Sequence, residues 1–69
     1  MQTVTIRDEY IKLGQVLKLA NLAASGVEAK EVILDGQVKV NGEVCLMRGK
    51  KIYSGDIVEF GGNTLTIIH

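Results

Sequence analysis

The chain has no proline and no tryptophan, a single cysteine and a single histidine, and only two tyrosines and one phenylalanine. Each scarcity closes off a class of function. Without a second cysteine, Cys45 cannot form an internal disulfide, which suits a reducing cytoplasmic location. Cys45 and His69 alone cannot supply a four-ligand site, so no metal is expected. No apolar run approaches the roughly 18–20 residues of a membrane span, and nothing reads as a signal peptide, so no membrane partner is expected. No proline-rich tract, repeat or low-complexity stretch marks a linker. At 69 residues the chain has room for one domain, residues 1–69, with one small core. That core must be aliphatic, because 46% of the residues are hydrophobic and almost none of them are aromatic.

Net charge is also lacking: eight basic residues balance eight acidic ones. The distribution is uneven. Between residues 12 and 51 stand seven cations (Lys12, Lys18, Lys30, Lys39, Arg48, Lys50, Lys51) and four anions (Glu28, Glu31, Asp35, Glu43), a balance of +3. The flanks hold Arg7 against Asp8, Glu9, Asp56 and Glu59, a balance of −3. Such asymmetry can concentrate positive potential on one face of a neutral protein. It can also be no more than chance clustering on a solvated surface.

The pattern along the chain is clearer. Residues 2–6 are alternating and β-branched, which suits a strand. Leu13, Val16, Leu17 and Ala20 form a helical stripe, which Leu19 and Leu22 widen. Ser25-Gly26-Val27-Glu28 is a capping box: the Ser25 hydroxyl accepts from the amide of Glu28, and Glu28 can reach back to the amide of Ser25. Ala29, Val32 and Ile33 continue a second helix, and Gly36 stands where a C-cap glycine belongs. The two helices join around residues 23–25. From residue 37 the period becomes two. Residues 37–46 read as a hairpin around Asn41-Gly42, with Val38 and Val40 on one side and Lys39 on the other. Residues 47–51 form a basic loop, and Ser54-Gly55-Asp56 is a turn. Residues 56–60 are a strand, and Gly61-Gly62-Asn63 turns into another at 64–68. The fold class is α+β, with two short helices packed on a small, mainly antiparallel sheet that includes a β-hairpin.

Enzymatic chemistry is not expected. A nucleophile needs a base within hydrogen-bond reach, and His69 is the last residue. Cys45 in an alternating strand reads as a small core residue. The glycines match neither phosphate-loop spacing, and no cofactor is indicated. The loop Arg48-Gly49-Lys50-Lys51 is more informative. It sets three cations in four residues, with a slim backbone between them, and both residue types bind phosphate. It can approach the start of the second helix, where the amides near Ser25 and Gly26 favour anions. Tyr10, Tyr53 and Phe60 are dispersed in sequence. Structured RNA read by shape and phosphate is therefore expected over recognition by base stacking.

This order of features resembles the S-four RNA-binding domain, also called the αL motif, over about residues 12–60. The resemblance rests on Lys12-Leu13 followed by Leu17, on Ser25 and Ala29, on Gly36-Gln37-Val38-Lys39-Val40-Asn41-Gly42, and on Gly55-Asp56-Ile57-Val58. In length and in its basic loop the chain is similar to stand-alone bacterial proteins of the YbcJ/YaaA type. The resemblance implies a non-catalytic RNA-binding module for structured ribosomal or transfer RNA, with the ribosome or its precursor as a further partner. It implies contacts at Lys12, Lys18, Ser25, Lys30, Asn41, Arg48, Lys50 and Lys51. Two positions depart from the family pattern: Gly26 replaces an arginine after the serine, and Gly14 replaces an acidic residue. Several candidates also have ordinary structural readings. Lys30 can pair with Glu31 or Asp35, Asn41 serves the turn, and Ser25 serves the cap.

Two other readings compete. Residues 2–6 can act as an exposed edge strand that binds a protein. Residues 38–44 with 55–59 also resemble the second half of β-grasp sulfur carriers. That chemistry needs a terminal Gly-Gly, and here Gly61-Gly62 is internal and reads as a turn.

Overall fold

The computed structural model describes residues 2–69. Strand β1 (Gln2–Thr5) leads through a short bend to β2 (Tyr10–Lys12), which runs directly into helix α1 (Leu13–Leu19). Helix α2 (Gly26–Leu34) follows, then β3 (Val38–Val40), β4 (Glu43–Val44), β5 (Lys51–Tyr53), β6 (Ile57–Phe60) and β7 (Asn63–Ile68).

The helix boundaries follow from local chemistry. Ser25 is the N-cap of α2, and its Oγ accepts from the Glu28 amide at 3.2 Å. Among the described residues the reciprocal bond from Glu28 is not formed, so only half of the capping box is present. Past the C-cap Asp35, Gly36 turns left-handed (φ +78°), and the amides of Gly36 and Gln37 return to the carbonyls of Ile33 and Val32. This double closure satisfies two carbonyls that the helix end would otherwise leave open. Helix α1 ends in the same way, with Asn21 (φ +58°) in the glycine position and Leu22 donating to Leu17 O at 2.9 Å. The α1–α2 connection therefore begins earlier than residues 23–25. Leu19 also departs from the expected stripe: it is 61% exposed, because at about 100° per residue it points roughly 110° away from the face formed by Leu13, Val16 and Leu17.

The main sheet has the order β1-β7-β6-β3-β4. Neighbours pair antiparallel except for β1, which lies parallel to β7 with Val4 beside Ile67. Asn41 (φ +52°) and Gly42 (φ +86°) make the tight β3–β4 turn, and Gly61 and Gly62 make the β6–β7 turn. The hairpin is shorter than residues 37–46, since β4 holds only Glu43 and Val44 before the chain leaves the sheet. The supposed basic loop also gives up its last residue, Lys51, to β5. That strand pairs with β2 in a separate two-stranded ribbon.

Alternation puts Val38, Val40, Val58, Leu65 and Ile67 on the inner face of the sheet, where they meet Leu13, Val16 and Leu17 of α1 and Ala29 and Ile33 of α2. Ile52 closes the core from the ribbon side. Burying a side chain of this size stabilises the fold by about 1.5–3 kcal/mol. The core therefore fixes where both helix starts and the ribbon come together.

Candidate nucleic-acid interface

Helix α1 has no side-chain cap, because its N-cap residue, Lys12, offers no acceptor. Its first amides bond to the basic loop instead. Leu13 N–H donates to the Lys50 carbonyl at 3.0 Å and Gly14 N–H to the Arg48 carbonyl at 3.1 Å. The loop is itself turned by a Lys50 N–H bond to the Met47 carbonyl at 3.1 Å. Capping by carbonyls leaves the loop's side chains unused. The backbone holds the loop while Arg48, Lys50 and Lys51 remain exposed.

The result is an open groove of about 270 Å³ lined by Lys12, Gly14, Gln15, Lys18, Gly26, Arg48 and Gly49. Three of the eight expected contact residues, Lys12, Lys18 and Arg48, meet there. Ser25 caps α2 beside Gly26, and Lys30 lies one turn further along the same helix face. Lys50 follows the groove residue Gly49 in the loop, and Lys51 stands directly opposite Lys12 in the ribbon. Among the described residues none of these cations forms an ion pair, Lys30 with Glu31 or Asp35 included.

Asn41 is placed differently. Its Nδ2 donates to Asp56 Oδ1 at 3.0 Å, and its Oδ1 accepts from the Ile57 amide at 2.9 Å. Asp56 in turn accepts from the Tyr53 amide at 2.8 Å. Asn41 thus ties the β3–β4 turn to the start of β6, and it does not line the groove. Lys39 is also apart, on the sheet's outer face opposite Glu59.

Gln15 lines the groove, although residue type alone gave no reason to single it out. Tyr10 and Tyr53, dispersed in sequence, become a cross-strand pair with ring centroids 5.9 Å apart. Tyr10-Ile11-Lys12 and Lys51-Ile52-Tyr53 run as mirror images, so antiparallel pairing sets like residues opposite each other. Among the described residues no polar or charged side chain is buried and no cluster of metal-ligating side chains forms. Among the described residues no helix is long and apolar enough to cross a membrane.

A model of the S4 domain matches residues 4–68, beyond the 12–60 span that carries the sequence motifs. The chain belongs to the S4 domain family. This S4 domain is 46% identical over 59 residues to a Bacillus subtilis (strain 168) protein named "Probable ribosome maturation protein RlbA", covering 86% of this chain and 83% of that protein. It is 37% identical over 59 residues to YbcJ of Escherichia coli (strain K12), covering 86% and 84% of the two chains. The solution structure of YbcJ, described as revealing an αL motif involved in RNA binding, matches with a TM-score of 0.76. That match covers all of this S4 domain and 89% of YbcJ at 34% identity. The 30S ribosomal protein S4e of Thermoplasma acidophilum shares the fold, with a TM-score of 0.63 and 22% identity over 84% of this chain and 31% of that one.

Proposed function

We propose that this S4 domain is a non-catalytic, cytoplasmic RNA-binding module. Its groove of Lys12, Lys18 and Arg48, extended by Lys30, Lys50 and Lys51, docks on the phosphates of structured ribosomal or transfer RNA. The observation that carries the reading is the capping of α1 by the Arg48 and Lys50 carbonyls. That arrangement sets a loop of cations against the start of α1, with Lys12 at its N-cap and Lys18 within it, and no carboxylate is paired to them among the described residues. Phosphate binding by such a surface is electrostatic and does not depend on sequence, so selectivity rests on RNA shape. The relationship to RlbA supports a task in ribosome maturation, with a ribosomal precursor as the RNA-bearing partner. Relationship to YbcJ, whose motif is described as involved in RNA binding, supports the partner class.

The test is fluorescence-anisotropy titration of structured ribosomal RNA fragments and transfer RNA at several salt concentrations. Micromolar or tighter binding that weakens steeply with salt is expected. Absence of binding to every structured RNA at low salt would turn attention to the edge of β1. Among the described residues that strand pairs with β7 alone, and its second edge is open to an added strand from a protein partner.

A further inference from the structure

The β2–β5 ribbon carries a face that adjoins the basic groove at Lys12. Side chains alternate across a strand, so Ile11 and Ile52 pack toward the core while Tyr10, Lys12, Lys51 and Tyr53 share the opposite face. The register pairs like with like: Lys12 lies directly opposite Lys51, and Tyr10 directly opposite Tyr53. Like charges facing each other across a sheet repel and weaken it. Among the described residues no carboxylate relieves either lysine. The Lys51 ammonium instead lies over the Tyr10 ring, 4.8 Å from its centroid. The two rings stand 5.9 Å apart at a tilt of 49°, an attractive aromatic geometry, and Tyr53 is 42% exposed.

A ligand suited to this face must bring an anion to the lysines and a flat ring to the exposed tyrosine. Tyr53 and Lys51 are two residues apart on one strand, about 6.6 Å, within the span of one nucleotide from base to phosphate. We propose that the ribbon binds an unpaired nucleotide of the RNA, its base stacked on Tyr53 and its phosphate held between Lys12 and Lys51. This rests on the RNA-binding reading and adds a preference to it. Duplex RNA offers phosphates but keeps its base faces stacked inside the helix, whereas a bulge or loop exposes one. Lys12 also lines the groove, so one RNA can set its paired phosphates there and its unpaired nucleotide on the ribbon. Tyr10 supports Tyr53 from the neighbouring strand and holds Lys51 near the ring when no RNA is present.

Two RNA duplexes test this, sharing a strand that contains one 2-aminopurine, bulged in the first and paired with uridine in the second. The wild-type protein is expected to bind the bulged duplex about five-fold or more tightly than the paired one, with a change in 2-aminopurine fluorescence as the base stacks. Tyr53→Leu should remove both the preference and the fluorescence change while leaving affinity for the paired duplex unaltered. Tyr53→Phe should keep both. Equal wild-type affinity for the two duplexes, or a preference that survives in a folded Tyr53→Leu variant, overturns the stacking site and leaves the RNA-binding reading intact. Binding to neither duplex, nor to any other structured RNA, overturns both. The wild-type comparison decides the matter even if Tyr53→Leu fails to fold.

Discussion

The Gly14 amide donates to the Arg48 carbonyl at 3.1 Å, and a Cβ built on Gly14 would lie 3.7 Å from that same oxygen. The second distance is ordinary van der Waals contact, and Gly14 sits inside a helix without a left-handed φ. Gly14→Ala should therefore keep the capping bond and reduce the freedom of the unfolded chain. An increase of about 0.4–1 kcal/mol in unfolding free energy is expected, measured by urea denaturation.

The groove cations make a different prediction. If about three to five phosphates are engaged, log K should fall with log salt at a slope of roughly −2 to −4. Replacing Arg48, Lys50 and Lys51 together by alanine should weaken binding and flatten that slope. The loop's grip on α1 runs through backbone carbonyls, which alanine retains, so the far-ultraviolet circular dichroism spectrum should match that of the wild type. An unchanged slope would remove these residues from the site.

Asn41→Ala should act on stability and not on RNA. The substitution removes the bonds to Asp56 and to the Ile57 amide and places alanine at φ +52°. A loss of about 1–3 kcal/mol is expected. At a temperature where both proteins are folded, anisotropy titrations of the variant and the wild type should superimpose. Weaker binding by the folded variant would return Asn41 to the contact surface.

The two ends of α2 can be compared directly. Ser25→Ala removes the acceptor for the Glu28 amide and should cost about 1 kcal/mol. Gly36→Ala should cost a similar amount, about 1–2 kcal/mol, for a different reason. The new Cβ would meet Val44 only at 3.9 Å, so the penalty lies in holding alanine at φ +78°. Thermal melts of the two single variants and the double variant should give additive losses, since the sites are far apart along the helix.

What could be read from the sequence was what short-range chemistry determines. Ser25 and Gly36 act on backbone groups within a few residues, the Asn41-Gly42 pair takes the positive φ values its tight turn requires, and each is found where its pattern placed it. The change from helical to alternating periodicity likewise led to the right fold class, and three of the expected contact residues, Lys12, Lys18 and Arg48, line one groove. The pairing of β2 with β5 was not legible, because three-residue strands are too short to show a period and their partners are remote in sequence. For the same reason the tyrosines looked scattered. Leu19 misled because its hydrophobicity was counted although its place around the helix lies off the buried face. The cap at Asn21 depends on a positive φ that asparagine tolerates but does not announce.

The parallel pairing of β1 with β7 has a consequence for how the chain acquires its structure. In the sheet order, β7 lies between β1 and β6, so a strand made after the other four of its sheet occupies an interior position. Until it arrives, β1 has no neighbour to bond with, and the buried side chains Leu65 and Ile67 are missing from the core. Local hairpins and helices can form early, but closing the sheet waits on the contact of greatest sequence separation, the kind that slows folding most. A growing chain stalled before residue 63 would hold Val4 and Val58 without their cover. Its cations would be made, but the sheet that positions them would still be open.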